Sequence, residues 1–371
     1  MIKANFKPDK VYIDNHAAGY PLTEKILQKT KGIPCEIIDS VPEFLEDVRT
    51  VKDPLSFGKK NLFLTVQKGE FIKPCPCTPG YLGCNYFIIN LDLNCPLDCS
   101  YCILQQYLSN PFLTIHVNRA DLWAQLDFFL TSHRRAGLRI GTGELGDSLA
   151  LDHLTESSSD LISYFRQKKD VLFELKTKTL NLENVLSSEP SDNIIISWSL
   201  NTEDMADSEE RGAPAVKERI LAARLVSERG FRLGFHFDPI IFYPDWEKGY
   251  KRVIKALLSS VDPDRIAWIS LGSLRFAPRL KPIIQKRFSE SRIIYEELIR
   301  GKDGKFRYFM PLRLQLYREV IECIREEGGK RIPLYLCMES QEIWQEVLKI
   351  KPRSKEDVER TISLPLGGVV D

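Results

Sequence analysis

The sequence contains no uninterrupted apolar run approaching the length of a membrane span. Its opening, MIKANFKPDK, is polar from the start and lacks the charged–apolar–small order of a secretory signal. These absences set the cytoplasm as the expected location and argue against a membrane partner. Charge of one sign is also missing: 52 Lys and Arg stand against 51 Asp and Glu, a formal net charge of +1. A chain-wide attraction to nucleic acid is excluded, so any such site must be a local patch. There is no repeat at a solenoid period and no low-complexity tract. What remains is an ordinary globular composition, 43% hydrophobic and 28% charged, in 371 residues. That length can bury a full core as one large domain with appendages, or as two domains.

What the sequence does have is cysteine. There are nine, an odd number: Cys35, Cys75, Cys77, Cys84, Cys95, Cys99, Cys102, Cys323 and Cys337. Six fall between positions 75 and 102. A secreted disulfide scaffold is shorter and spreads its cysteines more evenly, so this clustering points to metal or redox chemistry.

The chain opens with a strand-like KVYID, a helical YPLTEKILQKTKG ended by Gly32, and a second strand-like CEIID. The stretch 66–84 is rich in Gly, Pro and Cys and predicts irregular backbone. A rhythm then sets in. Apolar strand-like runs occur at 86–93, 138–142, 171–177, 194–200, 231–237 and 266–271. Helical patterns lie between them, including RADLWAQLDFFLTSH after a cap at Asn118, and AVKERILAARLVSERG closing on Gly230. The strands lack polar alternation, as expected where helices cover a parallel sheet. Six strand–helix units in succession predict an α/β fold whose parallel sheet curls into a complete or incomplete barrel, with its chemistry at the C-terminal strand ends. The division expected is an N-terminal α/β unit with its Cys/Pro-rich loop over 1–84, a barrel over 85–280, and a C-terminal basic and helical region over 281–371. From Arg275 to Arg318 there are twelve Lys or Arg against four Asp or Glu.

Directly after the first barrel strand comes NCPLDCSYCILQ, with the spacing Cys95-x3-Cys99-x2-Cys102. Three thiolates on one tight loop can ligate three irons of a [4Fe–4S] cubane and leave the fourth iron without a protein ligand. The amino and carboxylate groups of S-adenosylmethionine can chelate that iron, and reductive cleavage then yields a 5′-deoxyadenosyl radical. A structural zinc site would show a second CxxC-type pair, and none follows downstream.

Other residues gain meaning from this setting. Gly141-Thr142-Gly143-Glu144 ends the second strand, where glycines permit close backbone approach and a carboxylate can accept the cofactor's ammonium; an ordinary turn is the alternative. Lys178 and Ser199 sit near the ends of the third and fourth strands, either as cofactor contacts or as a surface Lys and a capping Ser. His236 and Asp238 interrupt an apolar run, as substrate ligands or as a hydrogen-bonded core pair. Cys75, Cys77 and Cys84 form a CPC-x6-C group that can be an accessory metal site, a redox pair or a loop-stabilising element. Cys75 or Cys77 becomes a candidate hydrogen donor if its loop folds over the barrel mouth.

The chain resembles the spore photoproduct lyase family of radical S-adenosylmethionine enzymes. The resemblance is carried by KVYID with YPLTEKIL, NCPLDCSYCILQ, DSLALDHLT, LAARLVSERGFRLGF and DPIIFYPDWEKGY. It implies a partial (β/α)6 TIM-type barrel of the radical S-adenosylmethionine type, with an N-terminal α/β unit and a C-terminal extension. It implies cluster ligation by Cys95, Cys99 and Cys102, cofactor contacts from Lys178 and Ser199, and an active-site tyrosine at Tyr101. It also implies an external one-electron reductant such as a flavodoxin or ferredoxin, and lesion-containing DNA as partner. In that family the adenosyl radical takes hydrogen from a thymine–thymine lesion and a cysteine thiol returns one. Here the sequence departs: Glu144 stands at the donor position, and Ile103 replaces the tyrosine after the last cluster cysteine. In GKDGKFRYF, Lys302, Lys305, Phe306, Arg307 and Tyr308 interleave charge with aromatic rings. Arg275, Lys305, Arg307 and Tyr308 are the residues expected to meet DNA, the basic ones at phosphates and the aromatic at an extruded base. Two further readings stand beside this one: a radical enzyme on a non-DNA substrate, and a non-catalytic iron–sulfur protein that binds DNA.

Overall fold

A computed structural model describes residues 5–78 and 80–362. The C-terminal region expected over 281–371 is thus described as far as residue 362. The central feature is an eight-stranded sheet: β1 Ile72–Pro74, β2 Phe87–Ile89, β3 Leu138–Thr142, β4 Val171–Thr177, β5 Ile194–Ser199, β6 Arg232–Ile240, β7 Ile266–Ser273 and β8 Leu334–Leu336. Their spatial order follows the chain from β1 to β8. Strands β2 to β8 are mutually parallel, and β1 runs antiparallel on the outer edge.

The six strands expected from the apolar runs are all present. All eight residues of β7, IAWISLGS, are buried, which explains why that strand shows no polar alternation. The helix Trp246–Ser260 covers the sheet with Tyr250, Val253, Ile254 and Leu257, at helical spacing. The helix Val216–Arg229 begins where the Glu218 carboxylate accepts the Ala215 N–H at 2.9 Å, and it ends at Gly230 with φ +108°. Asn118 does precede the helix Arg119–Ser132, but its amide is engaged with the backbone of Gln67 and it caps no helical N–H. The stretch expected to be irregular holds one short strand, β1, because Phe71 and Ile72 are buried against the sheet.

The N-terminal unit is a second sheet, in which Lys10–Asp14 lies between Cys35–Ile38 and Asn61–Thr65, all parallel. Alternate residues serve its two faces: Val11, Ile13, Leu62 and Leu64 on one, Tyr12 and Phe63 on the other, against Phe44 and Phe112. This sheet is completed by Leu113–His116 and Asp92–Leu93, which flank the cysteine triplet in sequence. The segment that carries the cluster loop is thus anchored in the N-terminal sheet at both ends.

Across the open side of the barrel, Leu82 forms an isolated antiparallel bridge with Glu339, just beyond β8; the Leu82 N–H donates to the Glu339 carbonyl at 2.9 Å. The Cys/Pro-rich loop after β1 is thereby stitched over the seam of the sheet. Among the described residues no helix is long and apolar enough to cross a membrane.

Candidate active site at the barrel mouth

The cluster loop owes its shape to groups distant in sequence. Asn94 adopts a left-handed backbone, φ +70°, a conformation Asn tolerates because its side chain bonds locally; its Oδ1 accepts the Cys95 N–H at 2.9 Å. The buried Lys59 ammonium donates to the carbonyls of Cys95 and Leu97 at 2.7 and 2.6 Å. Gln105 Nε2 donates to the carbonyls of Cys99 and Ser100, both at 3.0 Å. Asp98–Cys99 pairs antiparallel with Glu210–Arg211, setting Cys99 opposite Glu210. Asp98 is further held by Arg287 at 3.0 Å.

Cys99 is buried, while Cys95 and Cys102 are half-buried. Burial pushes the Cys99 thiol up to about 12, against the pull of Lys178 and Lys59, and raises Cys95 in the same way. In the unligated fold these thiols carry their protons at neutral pH, so loading a cluster releases protons. Among the described residues no group of three His, Cys, Asp or Glu side chains is placed to hold a single metal ion. A cubane is a different demand, since each thiolate takes its own iron. The donor set fits that group: three cysteines on one anchored loop, with ammonium groups of Lys59 and Lys178 near enough to offset thiolate charge.

Beside the loop, the Tyr101 hydroxyl donates to Glu210. Glu210 is also bound by Arg219 at 2.5 Å and lies 4.0 Å from Lys178 Nζ, which sits 5.9 Å from the Tyr101 ring centre. Burial alone would raise the Glu210 carboxyl, but Lys178 and Arg219 hold it below the usual range. Arg219 reaches on to the carbonyl of Ser199, at the end of β5. Tyr101, Lys178 and Ser199 are thus linked to one buried ion network facing the cluster loop.

Glu144 lies after β3 and its carboxylate accepts from Lys176 Nζ. Burial works against the Lys176 ammonium, and Glu144 outweighs it, so Lys176 stays charged. The structure gives Gly141 and Gly143 a packing role. A Cβ on Gly141 would run into Tyr86 Oη and the Glu174 carbonyl, and one on Gly143, φ +93°, into the Lys176 carbonyl.

His236 is a core residue: its Nε2 is 2.8 Å from Glu174 Oε1, in a buried group with Ser197 and Trp268. Asp238 receives both Arg275 nitrogens, at 2.8 and 2.9 Å. Arg275 is therefore committed to a bidentate pair inside the mouth. Lys305 is half-buried, 3.3 Å from Thr78 Oγ1.

Three of the expected DNA contacts need correction: Arg275, spent on Asp238, and the neighbours Arg307 and Tyr308. Arg307 is 1% exposed, bound to Asp303 at 2.6 Å and stacked 4.0 Å over Tyr81; Tyr308 is fully buried, its hydroxyl accepting the Phe242 N–H. Both lie on the strand Phe306–Tyr308 of a small antiparallel sheet with Arg275–Phe276 and Leu298–Arg300, one on each face, and both faces are covered. Neither side chain is exposed at the surface. Arg307→Ala is accordingly expected to cost about 2 kcal/mol of stability, the worth of a hydrogen bond to a charged partner. Chemical denaturation measures that loss, and DNA affinity per folded molecule should not change. The basic side chains exposed between Arg275 and Arg318 are Arg279, Lys286, Arg292, Arg300, Lys302 and Arg318, the last paired with Glu346.

Sequence reasoning passed over Lys59, Arg139, Glu174, Glu210 and Arg219. Two of them carried a readable signal: Glu174 within VLFELKT and Arg139 within LRIGT are charges inside apolar strands. Arg139 is 1% exposed, its guanidinium 4.3 Å from the Trp268 ring centre and 5.0 Å from that of Tyr335.

A family model described as spore photoproduct lyase matches residues 6–311. The chain belongs to the spore photoproduct lyase family. The spore photoproduct lyase of Bacillus subtilis is 25% identical over 316 residues, covering 81% of this chain and 88% of that protein. That of Clostridium acetobutylicum is 22% identical over 304 residues, with the same coverage. The fold matches a solved spore photoproduct lyase variant with bound S-adenosylmethionine and dinucleoside spore photoproduct, at a TM-score of 0.77 and 22% identity, covering 91% of this chain and 100% of that one. The partial barrel with its N-terminal unit is the fold of this family, whose lyases use a [4Fe–4S] cluster and S-adenosylmethionine.

Proposed function

We propose that this protein cleaves spore photoproduct in DNA by radical S-adenosylmethionine chemistry, with Cys95, Cys99 and Cys102 as cluster ligands. The observation that carries this reading is convergence. The cysteine loop, the Tyr101–Lys178–Glu210–Arg219 network and the Glu144–Lys176 pair all meet at the C-terminal ends of β3, β4 and β5.

S-adenosylmethionine bound at the cluster supplies the 5′-deoxyadenosyl radical that takes hydrogen from the lesion. The chain's own residues bind and orient. Lys178 offers an ammonium to the cofactor carboxylate, and Ser199 a hydroxyl. Glu144, positioned by its bond from Lys176, accepts the cofactor ammonium. Tyr101 is fixed by its bond to Glu210, so its ring stays at the cluster loop. Phosphates of the DNA are met by the exposed Arg279, Arg292, Arg300 and Lys302, on and around the small sheet that follows β7. Electrons come from a flavodoxin- or ferredoxin-type reductant, and the setting is the cytoplasm.

Glu144 is the one observation that favours a different substrate, because a carboxylate has no hydrogen atom to give. An anaerobic assay with reconstituted iron and sulfide, dithionite and S-adenosylmethionine separates the readings. Formation of 5′-deoxyadenosine is expected to rise with DNA carrying spore photoproduct, with thymine recovered in step. A yield indifferent to the lesion would move the substrate elsewhere, and no product from a protein with an intact cluster would leave a DNA-binding role.

A further inference from the structure

With cofactor and lesion at the barrel mouth, a reductant can approach the cluster only from the outer flank of its loop. One side chain organises that flank. Arg287, on the helix Leu280–Arg287, donates to Ser56 Oγ at 2.9 Å and to the Asp98 carboxylate at 3.0 and 3.2 Å. It also bonds Gln105 Oε1 and lies 3.5 Å from Asp53. Its guanidinium is 5.0 Å from the Phe288 ring centre, and Arg211, the strand partner of Asp98, packs on that ring at 4.7 Å. The N-terminal unit, the cluster loop and the chain after β7 therefore meet at Arg287. Two of its partners, Asp98 and Gln105, bracket Cys99 and Cys102 in sequence.

Around this junction the surface is apolar and basic. Cys102 is followed by Ile103 and the one-turn helix Leu104–Tyr107, in which Leu104 and Gln105 are buried. Ile103 and Tyr107, four residues apart, share the outward face and are 41% and 58% exposed. Val51, two residues before Asp53, is 40% exposed. Single exposed apolar side chains need no account, but here three gather around one junction, and one of them adjoins a cluster ligand. Within three residues of Arg287 and its partners, the exposed charges are Lys52, Arg211 and Lys286 against Glu290. Asp53 and Asp98 are already met by Arg287, so the rim is basic.

We propose that this face, centred on Ile103 and Tyr107 and rimmed by Lys52, Arg211 and Lys286, docks the reductant, a small acidic one-electron carrier protein. This rests on the cluster assignment in the reading above. The charge of the rim selects the occupant. A basic rim steers an acidic partner into register and raises its rate of encounter, while the apolar centre excludes water at the contact. Redox encounters are brief and use small interfaces, so a patch of this size suffices. In each encounter the carrier loses one electron and the cluster gains it, passing from the 2+ to the 1+ state. No bond is made or broken, and no proton crosses.

The test compares carrier proteins with a reductant that needs no docking. The holoprotein, without S-adenosylmethionine, is mixed at low ionic strength with reduced flavodoxin, with reduced ferredoxin, or with dithionite. Only its own cluster carries Mössbauer-active iron, so freeze-quenched samples report that cluster alone. The double variant Lys52→Glu/Lys286→Glu should slow reduction by both carriers about tenfold, since charge reversal removes the steering. Tyr107→Ser should slow it about fivefold through the lost contact. Dithionite rates should stay at the wild-type value in both, and Lys255→Glu, on the helix Trp246–Ser260, should match wild type throughout. Carbodiimide coupling to oxidised flavodoxin gives a readout without electron transfer, and peptide mapping should find Lys52 or Lys286 joined to its carboxylates. Carrier rates indifferent to both variants, no reduction of wild type by either carrier, or coupling only elsewhere would overturn the surface, while normal dithionite reduction leaves the cluster reading intact. Carrier reduction slowed by undamaged duplex DNA would reassign the face to nucleic acid. A protein that takes up no cluster, or one that dithionite cannot reduce, would overturn the cluster reading and this inference together.

Discussion

Cys99→Ala is expected to give a folded, colourless protein that binds little iron and forms no detectable 5′-deoxyadenosine. Cys99 is the central member of the triplet, on the two-residue strand opposite Glu210, and is 7% exposed. A cubane with an open iron needs all three protein thiolates, and losing one leaves two irons without protein ligands. The cost to the fold is small by comparison. Removing one sulfur from a buried site costs about 1–2 kcal/mol, and the loop keeps its bonds to Lys59, Gln105 and Arg287, none of which involves the sulfur. Iron analysis and the visible spectrum read the cluster, and circular dichroism reads the fold. Cys323→Ala is the control, because Cys323 is equally buried but lies on the helix Met310–Glu326, away from the loop. A full iron–sulfur spectrum in Cys99→Ala would remove this residue from the ligand set.

The triplet was legible because everything that marks it is local: three cysteines in eight residues after an apolar run. The barrel was legible for a related reason. A parallel strand covered by helices is apolar over most of its length, so β3 to β7 stand out one by one despite Arg139 and Glu174 within them. Strand β8 did not, since three residues, LYL, in a mixed region carry too short a pattern. Strand β1 was hidden by the Pro and Cys that follow it.

The failures share one physical cause. The chain after the cysteine triplet returns to the N-terminal sheet as Leu113–His116, a pairing with Asn61–Thr65 that no local pattern records. In the same way, Lys59 binds carbonyls 36 and 38 residues away. Arg307 and Tyr308 were misread because alternating charge and ring describes a solvated surface as well as a paired strand. What decides between them is Asp303, which gives Arg307 a buried partner. The apparent positive patch of the region is therefore smaller than its sequence count, since Arg275, Arg287, Arg307 and Arg313 are all spent on internal carboxylates.

Arg219→Met is expected to unlock the cluster loop without touching a ligand. Arg219 is 0% exposed and Glu210 3%, and their ion pair ties the helix Val216–Arg229 to the strand that pairs with Cys99. Methionine keeps the stem and its packing but leaves Glu210 buried with only Tyr101 and the more distant Lys178. Breaking a buried pair from one side costs about 3–5 kcal/mol, and the surviving partners put this case near the lower figure. The pH dependence identifies the cause. In wild type the Glu210 carboxyl is held below its ordinary 4.5, so its contribution is present above that pH and is lost as pH falls through the lowered value. In the variant Lys178 still pulls the carboxyl down but the charge and hydrogen bond of Arg219 are gone, so burial is less well opposed and the carboxyl takes up its proton at a higher pH than in wild type. The stability deficit should therefore be greatest at neutral pH and shrink on acidification through about 4.5. Denaturant unfolding at several pH values measures it, and iron content should fall in parallel although Cys95, Cys99 and Cys102 are untouched. Arg219→Lys restores one charge without the fork that reaches Pro214, Ser199 and Glu210 together, so it should lie between the two. A deficit independent of pH would mean that Arg219 acts through packing alone, and unchanged iron content would separate the ion network from the cluster.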